Sequence, residues 1–462
     1  MDHFITDTSA GATAAPVRLR GRGAVLLLSC YELGHQPLNL AFPLAYLRRA
    51  GFDPVAVDTA VDMLDDAAIA AASLVAVSVP MHTALRLGTQ LARRVRAVNP
   101  AAVVCFYGLY AWLNADYLLR EHGDYVIGGE YEQPLRELAE ALERGTPVPP
   151  SVGRAERIGT PSLARIDFPR PARADLPAPR HYAHLLIDGL AVPAGYVEAS
   201  RGCHHTCLHC PVVPVYGGRF FAVPREVVID DIRRQVAAGV GHITFGDPDA
   251  LNGPTHTLRI CRALHAEFPR VTFDLTTRIE HILQHREIFP ELAALGCVFV
   301  VSAVESVSET VLERIDKGHT RADVVEALVV LESAGIAMRP SLLPFTPWTT
   351  LEEYLDLLTF VEEHDLVENI DPVHFSIRLL VPPGSALLER PETAAWLGPL
   401  DEAAYTYHWE HPDPRVDALQ RDVARIAEAA AAREEPTAET FAAITAAAWA
   451  AAGRDAPPAR PS

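Results

Sequence analysis

The chain has 462 residues, of which 49% are hydrophobic and 21% charged, and its formal net charge is −19. This composition is globular, excludes a wholly disordered chain and gives room for two or three domains. The acidic balance argues against a nucleic-acid surface, which needs clustered Lys and Arg. No run of about 18 uncharged apolar residues is present to span a membrane. Residues 1–20 lack the apolar middle of a signal peptide and read as a disordered N-terminus, so a cytoplasmic location is expected.

In chain order, Gly23–Cys30 (GAVLLLSC) reads as a buried strand, a short aliphatic run closed by polar residues. A helix pattern ending at Gly51 follows, then the strands PVAVD, SLVAVSVP and AAVVCFYG with a helix before the last of them. Gly123–Leu142 adds one more strand and a closing helix. Strands alternating with helices at this spacing predict a parallel sheet covered on both faces, a Rossmann-type domain over residues 21–145. Residues 146–190, rich in Pro, Arg and Ala, read as a linker. A second α/β series over 191–388 has six strand segments: AGYVEAS, HITFGD, TFDLTT, CVFVVSAVES, IAMRPSLLPF and VHFSIRLL. Six repeats are too few for a closed eight-fold barrel and fit an open, partial one. Residues 389–455 are Ala-rich and read as helical, and 456–462 as a disordered tail.

Seven cysteines, an odd number in a large chain expected to be cytosolic, do not read as a disulfide framework. Three of them fall within eight residues, Cys203-His-His-Thr-Cys207-Leu-His-Cys210, in a loop directly after a predicted strand. Three thiolates from one tight loop can bind three irons of a cubane and leave the fourth open. Zinc completed by His204, His205 or His209 is the rival, although zinc sites usually draw ligand pairs from separated segments. Three reduced, structural thiols are the third reading. Cys30, at the end of the first strand, faces the crevice where such folds bind ligands, but a small buried hydrophobe is its ordinary role. Cys105, Cys261 and Cys297 suggest no role.

The spacing of the three cysteines after the first barrel strand resembles the radical S-adenosylmethionine superfamily. His209 stands where that family usually has an aromatic residue. The resemblance implies a [4Fe–4S] cluster on Cys203, Cys207 and Cys210, S-adenosylmethionine chelated to the open iron, and its reductive cleavage to a 5′-deoxyadenosyl radical. It also implies contacts to S-adenosylmethionine from Asp247 and Asp249 near the amino group, Arg278 near the carboxylate, and Ser302 and Glu305 near the ribose. Turn capping is the plain alternative for the two aspartates. Glu305, inside an apolar run, needs a hydroxyl or cationic partner if buried. Lys317-Gly318-His319-Thr320 and Pro382-Pro383-Gly384-Ser385 resemble turns of the family and read as shape elements.

A Rossmann-type domain ahead of the barrel resembles the class B, cobalamin-associated branch, as do Gly128-Gly129-Glu130-Tyr131-Glu132, Asn39-Leu40 and Tyr46-Leu47. That branch's Asp-x-His-x-x-Gly motif is absent, although His35 lies in the corresponding loop. Pro211–Phe220 and Thr346–Thr349 resemble a small branch some of whose members carry a Cys- or selenocysteine-containing tail, and here no Cys follows Cys297. The expected function is a cobalamin-dependent methyltransferase acting on a small, secondary-metabolic substrate, with an electron donor such as flavodoxin or ferredoxin. The alternatives are a cobalamin-free radical enzyme (rearrangement, cyclisation or aminocarboxypropyl transfer) and, from another class, a zinc-stabilised binding protein without turnover.

Overall fold

The computed structural model describes residues 17–187 and 189–455. The ends expected to be disordered, 1–16 and 456–462, lie outside the described residues. Residues 17–20 are packed: Leu19 is fully buried in a cluster with Val25, Leu44 and Leu142, and the Val17 amide donates to the Leu142 carbonyl at 3.0 Å. The chain forms two compact units, 1–181 and 182–462.

The first unit is built on β1 (Val25–Ser29), β2 (Val55–Asp58), β3 (Leu74–Ser78), β4 (Val103–Tyr107), β5 (Tyr125–Ile127) and β6 (Val152–Gly153). They lie in the order β2-β1-β3-β4-β5-β6, parallel except for β6 against β5. Every residue of β1 and β3 is buried, as an aliphatic run covered on both faces must be. Helices such as Leu38–Arg49 and Glu132–Arg144 supply the crossovers. This is the doubly wound order whose direction reverses between β1 and β3, and such sheets take ligands outside the carboxyl ends of the strands at that point. Cys30 lies there, but it is 5% exposed, donates to the Ala84 carbonyl at 3.2 Å, and burial pushes its thiol up to about 12. It is the small buried group of the ordinary reading.

The segment expected to be a linker is largely structured. Besides β6, Ser162 bridges Gly129, with the Glu130 amide donating to Ser162 O at 2.7 Å and the Ser162 amide to Gly128 O at 3.0 Å. Phe168 packs edge-on against Phe42. The approach works because residue 129 is glycine: its φ is +73°, and a Cβ there would stand 2.2 Å from Ser162 O. Gly129→Ala is therefore expected to cost about 3 kcal/mol or more, from strain and backbone displacement together, read as a lower denaturation midpoint.

The second unit carries β7 (His184–Ile187), β8 (Leu190–Val197), β9 (Ser200–Gly202), β10 (Phe220–Ala222), β11 (His242–Phe245), β12 (Thr272–Thr276), β13 (Cys297–Glu305) and β14 (Ala337–Leu342). The main sheet runs β14-β13-β12-β11-β8-β7, parallel apart from the β7–β8 hairpin, and is an open half-barrel. The sixth parallel strand read from VHFSIRLL is reduced to one bridge, Phe345 to Arg378. Pro372 opens a tight turn over Pro372–Ser376, and Arg378 leaves the sheet to lie 3.4 Å over the Trp409 ring and pair with Asp417. The region after 389 is not helical throughout. An antiparallel hairpin, β15 (Leu397–Asp401) with β16 (Thr406–Trp409), precedes the helices Pro414–Ala432 and Thr437–Ala451. Trp409 and Leu397 of that hairpin pack with Leu379, Val381 and Leu208 of the cysteine loop.

Candidate active site at the carboxyl ends of the second sheet

The expected site residues gather at the carboxyl side of the sheet, where barrel folds put their chemistry: Asp247 and Asp249 follow β11, Arg278 follows β12, Ser302 and Glu305 lie in the last four residues of β13, and the cysteines follow β9. β8 passes into β9, β9 pairs with β10, and the loop Cys203–Cys210 leaves β9 directly. The loop is tied down by its backbone: Cys210 N donates to Cys207 O at 3.1 Å, and Leu208 N to Ile315 O at 3.1 Å. All three thiols are free. Burial raises the thiol of Cys203 and pushes that of Cys210 up to about 11. Two of the sulfurs accept N–H groups, Cys207 from the Arg278 guanidinium and Cys203 from Asn252 Nδ2 at 3.5 Å. Such donors favour thiolates and, when sulfur carries iron, set its potential.

The donor set also separates the metals considered. Among the described residues, the group of His, Cys, Asp or Glu ligand atoms lying within 4.8 Å of one another is His205, Asp249 and His281. The three sulfurs do not form such a group. One zinc ion at about 2.3 Å from each sulfur would hold them within roughly 4 Å of each other, whereas a polynuclear centre spaces them wider.

Arg278, after β12, is held by Glu280 (Nε to Oε2, 2.8 Å) and by the Lys317 carbonyl. The Lys317–Thr320 turn, read from the sequence as a shape element, therefore enters the site. Gly318 (φ +82°) lets it pass Glu280, where a Cβ would stand 2.3 Å from Oε1. Lys317 Nζ lies 2.9 Å from Glu305 Oε1, and His209 Nε2 3.2 Å from the same oxygen. Glu305 itself has φ +62°, after a register shift at the end of β13, so backbone strain of about 1–3 kcal/mol aims its carboxylate inward. Burial alone would raise the Glu305 carboxyl, but Lys317 and then His209 hold it well below the usual range. The cationic partner that its sequence position required is Lys317.

Asp247 and Ser302 are engaged by the chain itself. Asp247 accepts from Ala199 N at 2.9 Å and from the Ser200 hydroxyl, fixing the β8–β9 turn ahead of Cys203. Ser302 donates to Thr277 O at 2.8 Å, joining β13 to the end of β12. Burial pushes Asp247 up to about 7, against the pull of those two donors. The native state thus keeps a proton that the unfolded chain loses near pH 4, and the stability this supplies is lost as pH rises through 7. Between pH 6 and pH 8 the melting temperature of Asp247→Asn is expected to fall less than that of the parent chain, measured by circular dichroism.

Asp249 is fully buried. Its Oδ1 accepts from Leu251 N at 3.1 Å and Thr277 Oγ1 at 2.8 Å, which is the turn cap considered from the sequence. Its Oδ2 faces His281 and His205. Asn252 and His281 were not picked out by the sequence: neither belongs to a local pattern, and their place comes from the turn after β11 and the helix Ile279–Gln284 after β12.

The fold and site define a two-unit α/β protein with a cysteine-bearing half-barrel. Residues 197–360 match the Radical SAM superfamily, and the chain carries a domain of that superfamily. It is 27% identical to the hopanoid C-3 methylase of Methylococcus capsulatus over 68% of this chain and 62% of that one. It is 25% identical to an uncharacterized methyltransferase of Pyrococcus horikoshii over 65% of each. The chain thus spans just under two thirds of these curated relatives. Its fold is similar to the radical S-adenosylmethionine methyltransferase TsrM of Kitasatospora setae, solved with tryptophan and a S-adenosylmethionine analogue (TM-score 0.62, 18% identity, 80% of this chain, 76% of that one). It is also similar to the cobalamin-dependent enzyme OxsB with aqua-cobalamin and S-adenosylmethionine bound (TM-score 0.65, 15% identity, 86% and 66%). Both likenesses cover most of the chain and concern the fold. Among the described residues no helix is long and apolar enough to cross a membrane.

Proposed function

We propose that this protein is a radical S-adenosylmethionine enzyme, a cobalamin-dependent methyltransferase acting on a small molecule in the cytoplasm, with electrons from a flavodoxin- or ferredoxin-type donor. The observation that carries the reading is the loop of Cys203, Cys207 and Cys210 at the carboxyl edge of the half-barrel, two of its sulfurs bonded to N–H donors. When bound there, the cofactors supply one-electron cleavage of a sulfonium bond and transfer of a methyl group.

The chain's own residues do the positioning. Arg278 stands beside Cys207 with a fixed guanidinium, suited to a carboxylate at the cluster's edge. Glu305, oriented by Lys317 and His209, offers its second oxygen to a hydroxyl. Asp247 and Ser302 hold the strand ends that carry these groups. Leu208 of the loop, with Trp348 and Trp396, packs on the Trp409 cluster and anchors the loop there. In the first unit, the reversal between β1 and β3 supports a place for cobalamin, with His35 in the loop after β1.

The test is anaerobic reconstitution with and without hydroxocobalamin, followed by incubation with S-adenosylmethionine and a reductant. About four irons per chain, retained cobalamin and a methylated product are expected. A cluster with no retained cobalamin and with methylthioadenosine as product would replace methylation by aminocarboxypropyl transfer. Sulfur-bound zinc without iron would sink both.

A further inference from the structure

Three side chains beside the cysteine loop converge on a point that the foregoing chemistry does not use. His205 comes from the loop, Asp249 from the turn after β11 and His281 from the helix Ile279–Gln284, and their ligand atoms all lie within 4.8 Å of one another. The Asp249 side chain is 1% exposed, and the bonds from Leu251 and Thr277 fix its Oδ1, so that Oδ2 has one direction open. Oδ2 is 2.8 Å from His281 Nδ1 and 3.7 Å from His205 Nε2.

At 2.8 Å an imidazole and a carboxylate ordinarily hydrogen-bond, yet here both Asp249 Oδ2 and His281 Nδ1 are buried without a hydrogen-bond partner. The two atoms are close but not aligned with each other. That is the relation of two ligands sharing one cation: donors about 2.0–2.1 Å from a metal stand roughly 3 Å apart, each aimed at the ion. A buried polar atom left unsatisfied is costly, and two sit side by side. Across the group, Glu280 Oε2, which accepts from Arg278 Nε, lies 3.9 Å from His205 Nδ1.

We propose that His205, Asp249 and His281 hold one divalent transition-metal ion of the borderline class, zinc or ferrous iron, as a two-histidine, one-carboxylate set separate from the three cysteines. Two nitrogens and one oxygen on one side of the ion suit such metals and leave positions open to water or substrate. The site stands whether or not the cysteines carry a cluster. It assigns Asp249 Oδ2 to an ion in place of the ammonium group of S-adenosylmethionine.

The test uses the full chain with Cys203, Cys207 and Cys210 all replaced by alanine, loaded with Zn2+, dialysed and analysed for metal, with folding followed by circular dichroism. One zinc per chain is expected, and its loss in both His281→Ala and Asp249→Asn on that background. A folded parent that retains no zinc, or retention unchanged by either substitution, overturns the proposal. If the cysteine-free chain does not fold, the reconstituted intact chain decides. One metal ion beyond the cluster, lost in His281→Ala while the visible absorbance of the cluster persists, supports the site; equal metal content in both chains overturns it. Release of that ion on adding S-adenosylmethionine also overturns it, because the three groups would then belong to that ligand.

Discussion

Alanine at Cys207 is expected to take bound iron from about four per chain to near zero and to lower S-adenosylmethionine cleavage by more than about a thousandfold, over 4 kcal/mol in the barrier. A cubane held by three thiolates from one loop has no spare protein ligand. Cys203→Ala and Cys210→Ala should behave alike. Cys261→Ala is the control, since that thiol is fully buried, and burial raises it far above its ordinary value. It should leave the iron content unchanged. Arg278→Gln should fall between the two: the loop still offers three thiols, but Cys207 loses its guanidinium partner, and such supporting contacts are worth about 10–100-fold. Iron analysis with the visible spectrum, followed by quantification of 5′-deoxyadenosine, checks the series.

The largest effect on stability is expected from Lys317→Met. The Lys317 and Glu305 side chains are 4% and 12% exposed, so the substitution leaves a buried carboxylate with only His209 beside it. Breaking a buried pair from one side costs about 3–5 kcal/mol, a fall on the order of 10 °C in melting temperature for a unit of this size. Adding Glu305→Gln should recover much of the loss, because the unpaired charge goes with it. The pair also fixes a sign. Glu305 is held below the ordinary value of 4.5, so its contribution is fully present above that pH and is lost as the pH falls towards the folded value. Acid titration of the parent against the double variant, followed by circular dichroism, should show the parent losing its advantage only below about pH 4.5.

Legibility in the sequence followed the range of the interactions. The strands of the first sheet were readable because β1 and β3 are buried on both faces, which demands continuous aliphatic runs such as Val25–Leu28. The cysteine loop was readable because three cysteines within eight residues form a local pattern. The helix Arg321–Ala334 begins at a local device too, the reciprocal cap of Thr320 and Asp323. Where long-range contacts decided, local pattern failed. VHFSIRLL has the composition of a strand, but Arg378 is drawn to Trp409 and Asp417, which lie 31 and 39 residues on. Residues 146–190 have the composition of a linker, but Gly129 admits Ser162 and joins them to the first unit.

The site divides in the same way. By itself the sequence determined two α/β series, the cluster-type spacing of Cys203, Cys207 and Cys210, and the need for a partner at Glu305. Tertiary structure alone decided that this partner is Lys317, that Arg278 and Asn252 face the sulfurs, and that Asp249 turns one oxygen towards His205 and His281. The physical reason is that ligand spacing within a loop is fixed by a few backbone torsions, whereas the meeting of strand ends 30 to 100 residues apart depends on how the whole sheet is ordered and registered.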